Sequence, residues 1–162
     1  MATESKLRQL ADKGCPVYYF YSSERYLVRQ AVAQAVHILT ADSDEDATVL
    51  DGAAPEIEQL IMAAGTISFF GTRRVVILPE LEPGSYSDKD IDELNSTLSS
   101  LENAVVVMGS VFELERSRLK LGKRAQKLIA QCKGLGYTEE LAKPKPFELK
   151  MMMIDRAREQ GT

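Results

Sequence analysis

A doubly wound α/β fold with a mostly parallel five-stranded sheet is the fold class this sequence predicts, on three observations. Runs such as Val17-Tyr18-Tyr19-Phe20-Tyr21 and Ala104-Val105-Val106-Val107-Met108 are apolar at every position, as strands covered on both faces must be. These runs alternate with stretches whose apolar residues recur at helical spacing. The composition, 44% hydrophobic and 27% charged over 162 residues, suits one ordinary globular domain, or one domain and the start of another.

The elements follow in order. Residues 3–12 read as a short helix, with Leu7 and Leu10 about one turn apart. PVYYFYS (16–22) is the first strand. A long helix over 24–39 carries Leu27, Val28, Ala31, Val32, Ala35, Val36 and Leu39 as its apolar stripe. TADSDED (40–46) is a polar, acidic loop, and ATVLDG (47–52) is a second strand ending at Gly52. Pro55 suits the first turn of a helix that buries Ile57, Leu60, Ile61 and Ala64 and ends at Gly65. Residues 74–78 form the third strand. EPGSYS is a turn, and Ser87 with Asp90 marks the start of a helix over 88–101 that buries Ile91, Leu94, Leu98 and Leu101. Residues 104–110 are the fourth strand, residues 116–133 a basic helix, and residues 135–138 a short fifth strand. Pro144 and Pro146 then break the chain before a last helix over 147–159, with Phe147, Met151, Ile154 and Ala157 on one face. The chain thus divides into an α/β domain over 1–142 and the start of a second, helical unit over 143–162. Burying Met151–Met153 would take further helices, so the sequence is expected to be a piece of a longer protein.

The formal charge of −4 and pI of about 5.2 oppose strong autonomous binding to nucleic acid, which needs a basic footprint. The charge is uneven. Residues 41–58 and 80–93 are acidic, whereas 116–133 carry seven Lys or Arg. Within that segment Arg116, Lys120, Lys123 and Arg124 are candidates to touch DNA or another subunit. The competing reading is the solvated face of an amphipathic helix, with Leu119, Leu128 and Ile129 turned inward. No apolar run exceeds about five residues, far short of a membrane span, and the N-terminus lacks a secretory apolar core. A cytoplasmic protein is expected. Cys15 and Cys132 have no metal-ligand spacing and read as free thiols of a reducing compartment.

In a doubly wound sheet the first turn to inspect is the one after strand one. A phosphate-binding loop there needs glycines, whose bare backbone amides can cradle phosphate, and a lysine to neutralise it. This chain reads FYSSERYLVRQ, with neither. Glu24 sits at the helix N-terminus, where it suits the dipole but repels phosphate. No GxGxxG is present. Asp51 could be imagined as a phospho-acceptor, but a receiver domain also needs an acidic pair after strand one. The plainer reading is a turn residue before Gly52. His37, the one histidine, has no Ser or Cys partner identifiable in sequence. DSDED lacks the glycine and spaced glutamate of a calcium loop. No catalytic residue, cofactor or metal is expected.

One stretch, TISFFGTRRVVILPEL (66–81), carries a feature the fold does not explain. Phe69 and Phe70 follow the helix-ending Gly65 and precede Gly71, so they lie on a tight connection. Both rings could pack beneath the sheet edge. Adjacent residues on a connection rarely both point inward, however, and an exposed aromatic pair is a candidate hot spot for a partner.

PVYYFYSSERYLVRQAV, VLDG some thirty residues on, ISFFGTRRVVIL, a helix and AVVVMGS run in the order found in the delta subunits of bacterial DNA polymerase III, which belong to the sliding-clamp loader. The resemblance spans about residues 15–160, and Phe-Phe-Gly-x-Arg-Arg before an apolar strand is its most specific part. It implies an AAA+ (P-loop-like) fold without a functional P-loop, and a domain that is not itself an enzyme. The whole subunit would belong to the polymerase III holoenzyme, a DNA-directed DNA polymerase of the bacterial cytoplasm. It further implies that an apolar pair before the third strand enters a pocket on the clamp, the beta subunit, and favours its open form. By position that pair is Phe69 and Phe70, with Ile67 in support; Phe69 replaces the leucine of some relatives. Other partners implied are delta prime and tau/gamma, reached through the full-length protein, with DNA bound only weakly or within the complex and no membrane contact. The alternative is a nucleotide-dependent enzyme, an unusual NTPase or a phospho-receiver, which nucleotide titration separates.

Overall fold

In the computed structural model, residues 3–40, 47–65 and 73–142 are described. The elements are α1 (Glu4–Asp12), β1 (Val17–Ser22), α2 (Arg25–Leu39), β2 (Ala47–Val49), α3 (Ile57–Gly65), β3 (Arg74–Leu78), a 3-10 turn (Pro83–Ser85), α4 (Asp88–Ser99), β4 (Ala104–Val111), β5 (Leu114–Glu115), β6 (Arg118–Leu119), α5 (Lys123–Leu135) and β7 (Tyr137–Glu140). Five strands form one sheet in the order β2-β3-β4-β1-β7, and every pairing in it is parallel. Strands β1 and β4 lie at its centre, in register from Val17↔Val106 to Ser22↔Val111.

The continuous apolar runs explain the layers. Alternate residues of a strand face opposite sides, and here both sides are covered. Tyr18, Phe20, Val75, Ile77, Val105 and Val107 pack against Leu7 of α1 and the Val28/Ala31/Val32/Ala35 stripe of α2. Val17, Tyr19, Tyr21, Val76, Leu78, Val106 and Met108 pack against Ile57 and Leu60 of α3, Ile91, Leu94 and Leu98 of α4, and Leu128, Ile129 and Cys132 of α5. Two glycines set how close the layers come. A Cβ on Gly109 of β4 would lie 2.6 Å from Val28 Cγ1 and 2.9 Å from Pro79 O, so α2 rests on bare backbone there. At Gly136, between α5 and β7, a Cβ would lie 2.2 Å from Val17 O. Helix starts follow the sequence signals. Thr3 Oγ1 accepts from the Lys6 N–H at 3.2 Å, and Ser87 Oγ accepts from the Asp90 N–H at 3.1 Å.

The structure corrects the reading at three places. The second strand is shorter than 47–52, although the Leu50 N–H still donates to Ile77 O at 2.8 Å before Gly52 turns the chain at a φ of 103°. Ile61 is not on the buried face of α3. It is 52% exposed, because α3 presents only Ile57 and Leu60 squarely to the sheet. The basic helix does not span 116–133. Residues 114–119 form an antiparallel hairpin with Leu114 opposite Leu119 and Glu115 opposite Arg118, and α5 starts only after Gly122. The hairpin turns on Arg116 and Ser117, at φ 52° and 67°.

Candidate functional site

Two edges of the sheet are candidates, because all five strands run the same way. At the edge where strands end, the topological switch falls between β1 and β4. From β1 the chain crosses to β2 and works back to β4, then crosses to β7 on the other side of β1. Ligands of open α/β sheets bind at this crevice. Here it is a cleft of about 470 Å³ lined by residues that include Ser23, Glu24, Arg25, Glu80, Glu82, Phe112 and Glu113. Its floor is rigid. Ser110 Oγ, on β4, donates to Leu81 O at 2.7 Å and so accepts from the Tyr19 hydroxyl at 2.6 Å. Burial pushes the Tyr19 phenol well above its ordinary pKa. Ser22 Oγ donates to Leu141 O at 2.6 Å and accepts from the Glu24 N–H at 3.1 Å, tying the loop after β1 to the end of β7.

The charge of this crevice is set by carboxylates. Glu24 occupies the N-cap position of α2, in extended conformation and without a capping hydrogen bond from its side chain. The two nearest cations are turned onto Glu80, with Arg25 Nη1 at 2.9 Å and Arg29 Nη2 at 3.2 Å from its Oε1. These contacts, the Arg29 hydrogen bond first, hold the Glu80 carboxyl below its ordinary pKa. Asp51 and His37 are both exposed. Among the described residues, no group of three or more His, Cys, Asp or Glu side chains is placed to hold a metal ion.

At the edge where strands begin, the start of β3 is described, whereas Ile67, Phe69 and Phe70 of the preceding sequence lie outside the described residues. What brackets them is described. Arg73 Nη2 donates to Ala104 O at 3.3 Å and Arg74 Nη2 to Thr48 Oγ1 at 3.3 Å, pinning the start of β3 to both neighbouring strands. On the other side, a cleft of about 490 Å³ runs between the C-terminal ends of α3 and α4, bordered by Ile61, Ala64, Gly65, Thr97 and Leu101. Beside it Met62 is 72% exposed. Met62 and Ile61 make an apolar rim that sequence periodicity assigned to the core or passed over.

The four basic candidates are not alike. Arg124 is held, with Nε donating to Asp88 Oδ1 at 2.9 Å, and Lys127 next along the helix pairs with Asp92. The acidic face of α4 thus lies against the basic face of α5. Arg116, Lys120 and Lys123 are exposed on the hairpin and the first turn of α5. Among the described residues, no helix is long and apolar enough to cross a membrane.

No family model matches the chain, and no curated protein matches it in sequence. Solved structures do. The Bacillus subtilis DNA clamp loader delta protein YqeN superposes with a TM-score of 0.66 at 21% identity, covering 98% of this chain and 48% of that one. A DNA polymerase III gamma subunit-related protein from Thermotoga maritima superposes with a TM-score of 0.62 at 14% identity, covering 90% of this chain and 48% of that one. The chain therefore spans about half the length of each. At these identities the likeness establishes the fold alone, an α/β domain whose five-stranded sheet is parallel throughout.

Proposed function

We propose that this chain is the clamp-binding domain of a delta-type clamp-loader subunit, which docks on the ring-shaped sliding clamp of DNA replication and favours its opening. The observation that carries this reading is the likeness over 98% of the chain to a clamp loader delta protein, joined to Phe69-Phe70-Gly71-Thr72-Arg73-Arg74 at the expected place before β3. Phe69 and Phe70, with Ile67, enter an apolar pocket on the clamp. The apolar rim of Ile61 and Met62, just before Gly65, supports a protein partner at this edge. The pinning of β3 by Arg73 and Arg74 supports a stiff exit from the docking segment. Binding energy at that site, rather than a reaction, biases the ring toward its open form, since a ligand shifts an equilibrium only by its differential affinity for the two states.

The domain does this without ATP. Four carboxylates, Glu24, Glu80, Glu82 and Glu113, line the crevice where phosphates would sit, its one lining cation, Arg25, is paired with Glu80, and the loop after β1 offers neither glycine nor lysine. The remaining loader subunits, delta prime and tau/gamma, are met through parts of the full-length protein beyond this domain.

Calorimetric titration of the chain with the sliding clamp of the same organism tests the reading, and saturable binding is the expected result. A parallel titration with ATP and magnesium addresses the alternative, a nucleotide-dependent enzyme. It is expected to give no saturable heat; micromolar ATP binding with no clamp binding replaces this reading with that one.

A further inference from the structure

We propose that the cleft between the C-terminal ends of α3 and α4 receives a lysine or arginine side chain of the sliding clamp, with an apolar neighbour of that residue resting on Ile61 and Met62. The inference rests on the clamp-docking reading and adds a second, charged contact to it. The cleft of about 490 Å³ is bordered on one side by Ile61, Ala64 and Leu101 and on the other by Thr97, Ser100 and Glu102. Ile61 is 52% and Met62 72% exposed, so two adjacent large apolar side chains lie at the surface beside it.

Two helix ends make the cleft negative. The last carbonyls of a helix have no partner within it and carry the negative end of its dipole. Helices α1 and α5 meet a cation at that end, Lys13 just after α1 and Lys133 in the last turn of α5. Neither α3 nor α4 has a basic residue in its last turn. On α4, Thr97 Oγ1 donates to Glu93 O at 2.8 Å, and Ser99 Oγ and Ser100 Oγ donate to Ser96 O at 2.8 and 2.9 Å. These hydroxyls are neutral, so they cap carbonyls and leave the negative end uncompensated. Glu102, exposed at the mouth, adds a full charge of the same sign. Among the described residues, no lysine, arginine or histidine lines the cleft. The two arginines at the start of β3 are turned elsewhere, Arg73 to Ala104 O and Arg74 to Thr48 Oγ1.

An apolar wall facing a negative wall selects the occupant. One carboxylate is too few hard ligands for a divalent cation, which takes six or more oxygens. Lysine and arginine instead carry an aliphatic stem that lies along apolar surface while the charged head reaches polar groups. Ile61, Ala64 and Leu101 suit the stem, and Glu102 with the last carbonyls of α4 suits the head. Position makes the clamp the partner. α3 ends at Gly65, four residues before Phe69. Four residues of chain reach at most about 14 Å, well within a standard interface of roughly 800 Å² per partner. A clamp seated on Phe69 and Phe70 therefore lies within reach of the cleft.

The test is calorimetric titration of the 162-residue chain and its variants with the sliding clamp of the same organism. Glu102→Lys and Ser96→Lys each put a cation where the clamp's would sit, and each should raise Kd at least about tenfold, since like charges brought together at an interface are costly. The loss in Glu102→Lys should shrink at high salt, as a charge contact requires and a packing defect does not. Ser96→Lys should melt no lower than the parent, because a cation in the last turn of α4 suits the helix dipole. Met62→Ser, which removes the apolar half of the contact, should weaken binding at least about fivefold. The control Glu113→Lys makes the same charge change as Glu102→Lys at the opposite edge of the sheet, and should bind within about twofold of the parent, where a rim charge outside the interface has little effect. Clamp binding by the parent with Kd unchanged in both Glu102→Lys and Ser96→Lys overturns this inference and leaves the clamp reading standing. Equal weakening in Glu113→Lys overturns it as a general effect of charge. No clamp binding by the parent overturns the clamp reading and this inference together. Self-association of the parent that the same two lysines abolish gives the cleft to a second copy of the chain and overturns it too.

Discussion

At the scale of single residues, the sequence was most informative where a side chain had to meet a strict local condition. Ser87 was legible as a cap because a hydroxyl three residues before a backbone N–H has one good use at a helix start, and the bond to Asp90 is there. Glu24 was legible as a poor phosphate neighbour because its charge is independent of the rest of the fold. Ile61 was misplaced because helical spacing locates an apolar stripe only to within the width of a side chain, and Ile61 falls at the stripe's margin, half exposed. Phe69 and Phe70 pose the sharpest residue-scale question, since two readings of the pair predict opposite results. A docking pair should lose affinity on truncation while the fold persists. Burying a Phe side chain is worth roughly 1.5–3 kcal/mol, so Phe69→Ala and Phe70→Ala should each weaken clamp binding at least about tenfold. The double variant should nearly abolish binding, with costs that need not add because the rings are neighbours. A core Phe→Ala change costs about 3–5 kcal/mol of stability instead. Both single variants melting sharply lower, with clamp affinity per folded molecule unchanged, would make the pair core.

Among elements, the hairpin is the one the sequence concealed. Leu114, Leu119 and Leu121 next to frequent Lys and Arg imitate an amphipathic helix, and no Asn-Gly or Gly-Gly marks the turn. Only Gly122, the residue before α5, signals that the helix begins late. What stabilises the hairpin is packing: Leu119 and Leu121 lie partly buried against the α3/α4/α5 side of the core, beside Phe112, which meets Tyr21 edge-on at 6.1 Å. Tertiary contact thus overrides a local preference at the turn. The cost of that override is measurable. Glycine adopts the Ser117 conformation without the clash of a Cβ, and a non-glycine residue in the left-handed region costs on the order of 1 kcal/mol. Ser117→Gly should therefore stabilise the hairpin by up to about 1 kcal/mol. The Lys120 amide, bonded to Glu113 O, reports it as slower hydrogen exchange, by up to about fivefold, with amides of β1 and β4 unchanged. Faster exchange at Lys120 would mean that the serine side chain contributes more to the turn than its backbone strain removes.

For the whole molecule, the class of fold was legible because β1, β3 and β4 are apolar on both faces, which only a sheet covered twice permits. Strand order and register were not, since they depend on long-range packing and close approaches such as Gly109 under α2. The same double covering has a consequence for pH. The shifted tyrosines and cysteines of the described residues are all raised, and burial is the first cause in each: Tyr18, Tyr19, Tyr21, Tyr137 and Cys15 upward, Tyr86 and Cys132 to about 12. These groups are neutral when protonated, so the fold holds them neutral while the unfolded chain ionises them at their ordinary values, near 8.5 for Cys and 10 for Tyr. Above those values the unfolded state binds fewer protons than the native state, and stability falls as pH rises. Below them the contribution is fully present. On the acid side Glu80 has the opposite sign, its stabilisation being lost only as pH falls through its lowered pKa, and its exposure keeps that effect small. The melting temperature should accordingly be flat from about pH 6 to 8 and fall above about pH 9. Cys132, fully buried on α5 against the sheet, isolates one component. Once its unfolded thiol ionises, each pH unit removes about 1.4 kcal/mol, so between pH 9 and 10.5 the loss is about 2 kcal/mol, or roughly 4–8 °C in Tm. Under reducing conditions, Cys132→Ala should start from a somewhat lower Tm at pH 7 and fall less steeply between pH 9 and 10.5 by that amount, with the tyrosine-driven loss above pH 10 retained. Identical alkaline slopes for the variant and the parent would show that water reaches the thiolate in the folded state, and that the α5 face of the core is less tightly closed than its packing indicates.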